Sequence, residues 1–208
     1  MKSLYIANML MKRHFLFYAL LLLVFACNKD DDDPEEEVIA RPSEYNNYMP
    51  LTIGNSWEYE VNEGGSSRTI HLQLNDFKVI DNKEVFAWED KGGFRTYKND
   101  VIFWYHNSTT NKWHPLVFFR TDVMGSSRSQ DIRCSNGTDR ITIDQERLNS
   151  FSINEKNFSN VIKVTPQTSC ESFPLKGTYY FAPGIGLIKH ETEGKVKEIR
   201  NYNIKDPE

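Results

Sequence analysis

The chain has 208 residues and a formal net charge of −4, a length that suits one domain with an appendage. Aromatic residues make up 13% of it, enough to build a core without help from a metal, so disorder is expected only in the N-terminal region. The acids Asp30 to Asp33 and Glu35 to Glu37 carry most of the charge imbalance, and the remainder of the chain is close to neutral. A near-neutral body lacks the basic field that displaces counterions from nucleic acid, so no nucleic-acid partner is expected.

Lys12, Arg13 and His14 precede an apolar run from Phe15 to Ala26 that ends at Cys27. A basic segment followed by a short apolar one is the pattern of an export signal. At 1.5 Å per residue the run spans about 18 Å, short of the roughly 30 Å hydrocarbon core, so residues 1–26 read as a removable signal and not as a permanent span. Met11 opens the same pattern as well as Met1 does, which leaves the true start at either methionine.

Leu23-Val24-Phe25-Ala26-Cys27 resembles the lipobox of bacterial lipoproteins, with Phe25 departing from the commonest residue at minus two. The resemblance implies a diacylglyceryl group on the Cys27 thiol, cleavage before Cys27, and acylation of the new amine by a chain such as palmitate. Residues 27–47 are then an anchored acidic tether, too hydrophilic and self-repelling to fold. The acid run also resembles the segment that follows the lipid-bearing cysteine in surface-exported lipoproteins of Bacteroidota. That implies an outer-membrane position with the domain on the cell exterior in preference to the periplasm. The run lacks the spaced acids and glycine of a calcium loop.

Residues 48–208 read as a β-rich domain. Trp57, Tyr59 and Val61 alternate with Glu58 and Glu60, and Ile70, Leu72 and Leu74 alternate with polar residues, the period of half-buried strands. Further strands are expected over 84–89, 94–98, 101–106, 113–119, 140–144, 160–165, 178–181, 186–191 and 195–204. Turn residues separate them, including Gly64-Gly65, Asp81-Asn82 and Pro183-Gly184. Short gaps favour antiparallel pairing. The expected fold is an all-β antiparallel meander forming an open or closed barrel, with a β-sandwich as the alternative. Gly125 to Asn136 is polar and is expected as a long loop.

With Cys27 set aside, Cys134 and Cys170 form an even pair in an exported protein and are expected to be joined. Neither belongs to a Cys-x-x-Cys pair, and His71, His106, His114 and His190 show no ligand spacing, so no metal and no cofactor is expected. No serine sits in a nucleophile elbow. Glu58 and Glu60 stand on one strand face about 7 Å apart, a spacing open to a glycosidase pair, although alternation turns them away from Trp57 and Tyr59. Phe103-Trp104-Tyr105 puts rings on both faces of one strand, and a single core covers only one. Trp104, helped by Trp113 from the next strand, is therefore the candidate ligand platform, suited to sugars or apolar groups.

Pro50-Leu-Thr-Ile-Gly-Asn-Ser-Trp57-Glu-Tyr59, Phe158 to Lys163, and Tyr179-Tyr-Phe-Ala-Pro-Gly-Ile-Gly-Leu-Ile-Lys189 resemble the signatures of uncharacterised bacterial lipoproteins. The resemblance implies an exported antiparallel β domain and brings no activity with it. The Gly54-to-Trp57 spacing also resembles the lipocalin entry motif with one residue too many. The resulting expectation is a lipid-anchored, non-enzymatic binding or interaction module, whose partners are the membrane and a carbohydrate, lipid or protein ligand. A lipocalin-like carrier of an apolar ligand, or a glycoside hydrolase using Glu58 and Glu60, are the alternatives.

Overall fold

The computed structural model describes residues 46–88, 92–107, 110–123, 125–134 and 137–205. Cys27 and the tether through residue 45 lie outside the described residues. Thirteen strands and no helix are present among the described residues, and all pairings are antiparallel. They are β1 Ser56–Glu63, β2 Ser66–Gln73, β3 Lys78–Ile80, β4 Lys83–Trp88, β5 Gly92–Tyr97, β6 Asp100–Asn107 and β7 Lys112–Arg120. There follow β8 Ser126–Cys134, β9 Gly137–Ile153, β10 Lys156–Gln167, β11 Thr178–Ala182, β12 Gly186–Thr192 and β13 Lys195–Asn203.

The strands form two sheets. One has eight strands in the order β2-β1-β13-β12-β11-β10-β9-β8, and the other has five in the order β3-β4-β5-β6-β7. Neither sheet closes on itself among the described residues, so the two-sheet alternative is observed and a closed barrel is not. Two-residue hairpins at Asp81-Asn82 and Asn154-Glu155 hold both residues at positive φ, the backbone that matches the twist of the flanking strands. Pairing of β1 with β13 brings the two ends of the domain side by side.

The main core lies between the sheets. Phe94, Phe103, Tyr105, Leu116 and Phe118 from the five-stranded sheet meet Ile141, Ile143, Ile162, Val164, Tyr179 and Phe181 from the eight-stranded one. A register shift in the β6–β7 ladder turns both Phe118 and Phe119 into this core, as a bulge does. A second cluster gathers Trp57, Tyr59, Leu74, Phe86, Ile188 and Ile199, confirming the alternation read in β1.

Residues 126–134 correct the sequence reading, because they form strand β8 and not a loop. The inward positions of β8 are Ser126, Arg128, Gln130, Ile132 and Cys134, so only Ile132 supplies an apolar signal. The polar inward side chains have partners that sequence does not display. Gln130 donates to the Val117 carbonyl at 2.9 Å and accepts from the Val117 N–H at 3.3 Å. Gln145 of β9 likewise accepts from the Arg120 N–H at 3.0 Å and donates to the Val123 carbonyl at 3.0 Å. Side-chain amides thereby take the place of a neighbouring strand along the free edge of β7, which would otherwise present unpaired backbone groups.

Candidate functional site

Strand β6 has rings on both faces, and the faces meet different surroundings. Phe103 and Tyr105 belong to the main core, while Trp104 belongs to a separate cluster with Ile80 and Val85 on the outer face of the five-stranded sheet. Gly93 stands opposite Trp104 in the β5–β6 ladder. A Cβ at Gly93 would come within 2.5 Å of Val85 Cγ1, so the missing side chain leaves room for this cluster to close. Trp104 is consequently 5% exposed. An open face at Trp104 is not what the structure has: the β3–β4 hairpin supplies, through Ile80 and Val85, the cover that rings on both faces require.

Around this buried indole the surface is mixed. Ile102 and Trp113 are half-buried and pack against the cluster. Lys83 Nζ lies 5.5 Å from the centre of the Trp104 ring, a cation–π distance. His106, exposed, stands with its ring 5.2 Å from that of Trp113. Trp104 Nε1 is buried without a hydrogen-bond partner among the described residues. The patch thus offers a half-exposed indole, an imidazole and an ammonium above a fixed apolar floor. Such a surface can stack on the CH face of a sugar or on an apolar group while hydrogen-bonding at its margin. Lys83 escapes sequence reasoning because it adjoins Trp104 only through the sheet, whereas His106 shares the Trp104 face of β6 by alternation and meets Trp113 across the ladder.

Glu58 and Glu60 project from the face of β1 opposite Trp57 and Tyr59, and each has its own partner. Glu58 Oε2 lies 3.5 Å from His71 Nδ1. Glu60 accepts from Ser67 at 2.7 Å and from Arg200 Nε at 3.1 Å. The hydrogen bonds from Ser67 and Arg200 hold the Glu60 carboxyl below its ordinary range. A glycosidase needs one carboxyl pushed upward to act as an acid, and these hydrogen bonds act in the opposite direction on Glu60.

The apolar space between the sheets that Trp57, Tyr59, Leu74 and Phe86 help to line measures about 10 Å³, the scale of one water. That void is too small for the ligand of a lipocalin-like carrier. A shallow polar groove of about 290 Å³ runs over Ser127, Asp144, Glu146, Lys163 and Thr165. Its carboxylates are already engaged, Asp144 by Gln167 at 3.0 Å and Glu146 by Lys163 at 3.4 Å. No group of three or more metal-ligating side chains occurs among the described residues.

Cys134, at the end of β8, and Cys170, in the connection after β10, form a disulfide with Cα atoms 5.9 Å apart. Asp139 reinforces the same junction by accepting from Ser169 at 2.7 Å and Thr168 at 3.1 Å. These hydrogen bonds, with one from the Arg140 N–H, keep its carboxyl below the ordinary value. The connection so pinned delivers Phe173 and Leu175 to the main core.

No protein-family profile matches the chain, and no curated protein matches it in sequence. Among solved structures, the chain is similar to the crystal structure of a "putative lipoprotein" from Parabacteroides distasonis. The identity is 12% and the TM-score 0.37, over 77% of this chain and 100% of that one.

Proposed function

We propose that the chain is a lipid-anchored lipoprotein of the cell envelope, held in the outer membrane through Cys27 with its two-sheet domain on the cell exterior. The domain acts as a non-enzymatic binding or interaction module. The observation that carries the anchor is an uninterrupted order in sequence: Lys12 and Arg13, a short apolar run, Leu23 to Ala26, Cys27, and then the acids of the tether. Acyl chains contribute about 0.8 kcal/mol per buried CH₂, so two or more on one cysteine hold a protein stably on a bilayer.

The binding surface of this reading is the patch formed by Trp113 and His106 over Trp104, with Lys83 at its edge, and its ligand classes are carbohydrate, lipid or protein. Mass spectrometry of the mature N-terminus tests the anchor. Cleavage before Cys27 with an added acyl mass is the expected result, and an unmodified Cys27 would overturn it. Protease added to intact cells tests the exterior position. The domain is degraded there if exterior, and is cut only after lysis if it faces the periplasm.

A further inference from the structure

Among the described residues, most of the buried side-chain nitrogen and oxygen atoms without a hydrogen-bond partner gather at one place, where β7 meets β8 and β9. They are Arg120 Nε, Arg128 Nε and Nη2, Arg147 Nε, and Ser126 Oγ. Register and bonding bring these residues together. Ser126 stands opposite Gln145 in the β8–β9 ladder, and Gln145 binds the backbone of Arg120. Arg147, two residues beyond Gln145 on β9, donates to the Thr121 carbonyl and lies with its guanidinium carbon 5.8 Å from the Tyr48 ring centre. Arg128 is near enough to Asp100, Arg120 and Asp122 to feel the charge of each.

The charges do not balance. Asp100 and Asp122 both engage Arg120, at 3.2 Å and 3.0 Å, the first as an ion pair without a hydrogen bond to Nε. The Arg128 side chain, half-buried, leaves Nε and Nη2 without a hydrogen-bond partner among the described residues. Burial and the neighbouring Arg120 weaken its hold on its proton, with Asp100 and Asp122 opposing them. A partly desolvated guanidinium without an acceptor is costly, and a guanidinium group can only donate. Arg120 already meets two carboxylates and Arg147 a carbonyl, so Arg128 is the guanidinium that asks for a further acceptor. With Arg120, Arg147 and Ser126 around it, the fitting complement carries negative charge and oxygens pointing in several directions. A planar carboxylate meets a fork from one side, whereas a tetrahedral oxyanion can accept from all three strands.

We propose that the junction of β7, β8 and β9 is a binding site for a phosphate-type oxyanion, held by Arg120, Arg128, Arg147 and Ser126. The ligand is free phosphate, a phosphate monoester, or the phosphate of a lipid headgroup. The site lies apart from the Trp113 patch, and it holds whether or not Cys27 carries lipid. Sequence conceals it, because positions 120, 128 and 147 share no motif and meet only through the sheet.

The test uses the full chain in detergent, at low ionic strength. Inorganic phosphate is titrated while the side-chain Nε–H resonances of arginine are followed by NMR. The expected result is saturable movement of the Arg120, Arg128 and Arg147 signals. Arg128→Gln and Arg147→Gln should each weaken binding by roughly tenfold, the scale of one charge-assisted hydrogen bond. Arg133→Gln, on the outward face of the same strand, should leave binding unchanged while reporting on the fold. Flotation with phosphatidylglycerol vesicles, against phosphatidylcholine alone, separates the sources. Binding to the anionic vesicles that Arg128→Gln abolishes identifies a headgroup, and phosphate binding without flotation identifies a soluble anion. Absence of saturation by phosphate together with absence of flotation would overturn the proposal, as would an equal loss of binding in Arg133→Gln.

Discussion

The indole N–H of Trp57 donates to the carbonyl of Ile185 at 2.6 Å, joining the start of the domain to a turn 128 residues later. Two residues further along β1, the Tyr59 hydroxyl donates to the Leu187 carbonyl at 2.9 Å. Gly184, with φ of 73°, completes the joint by donating its N–H to the Asn47 carbonyl at 2.7 Å. The segments Pro50 to Tyr59 and Tyr179 to Lys189, which stand out in the sequence, are thus the two halves of one structural contact. Their residue types are explained by backbone carbonyls they must reach and a turn that needs glycine, without any ligand.

That joint makes the first prediction. Tyr59 is 1% exposed, and burial pushes its hydroxyl well above the ordinary range, so it stays a neutral donor at any workable pH. Tyr59→Phe keeps the ring and removes the donor. It should destabilise the domain by about 1 to 3 kcal/mol, the range for a buried group that loses its hydrogen bond. Urea unfolding with an unchanged slope would give the value, and a loss near zero would mean that the bond contributes nothing net.

The disulfide supports a second prediction. Its ends are separated by 36 residues in sequence, a loop whose closure is expected to stabilise the fold by roughly 4 kcal/mol on the chain-entropy model. Cys134→Ser combined with Cys170→Ser should lower the unfolding midpoint, and reducing agent should do the same to the parent but nothing further to the double variant. A parent protein insensitive to reduction would count against this account.

A third prediction concerns acid. The Asp139 carboxyl is held below its ordinary value of 3.8 by Ser169 first, then by the Arg140 N–H and Thr168. A depressed folded-state value means stability that is present above the unfolded value and is lost as pH falls through the folded one. Unfolding midpoints should therefore decline below about pH 4, the ordinary carboxylate range. Asp139→Asn, already less stable at neutral pH, should show a shallower decline over the same interval. Parallel curves for the two proteins would remove Asp139 from the explanation.

Strand β1 was legible because Trp57, Tyr59 and Val61 are all buried on one face and the residues between them are not. Strand β8 was illegible for the opposite reason, since its inward Gln130 answers to the β7 edge and its inward Ser126 and Arg128 are polar, so none of the three gives an apolar signal. Period-two reasoning detects burial in a core, not hydrogen bonding to a strand edge far away in sequence. The aromatic face of β6 was legible in part. Alternation correctly separates Phe103 and Tyr105 from Trp104, but β3 has three residues, too few to show a pattern, and β3 helps to decide that Trp104 is covered.

The last prediction separates the two tryptophans of that outer face. Trp104 is 5% exposed beside Ile80 and Val85, so Trp104→Ala should open a cavity and cost about 3 to 5 kcal/mol of stability. Trp113 is half-buried at the rim, so Trp113→Ala should cost about 1 to 2 kcal/mol, in keeping with a side chain that buries only part of its area. Binding reverses the order for an intact fold. If the patch stacks on a sugar or an apolar group, the accessible ring is Trp113, and its loss should weaken a glycan-array signal while the domain still unfolds cooperatively. Trp104→Phe, which retains most of the floor, should bind like the parent. Unfolding curves and glycan-array signals for the three variants check both halves. Equal destabilisation by Trp104→Ala and Trp113→Ala would place both rings in one core, and a parent protein silent on the array would leave the patch with a packing role alone.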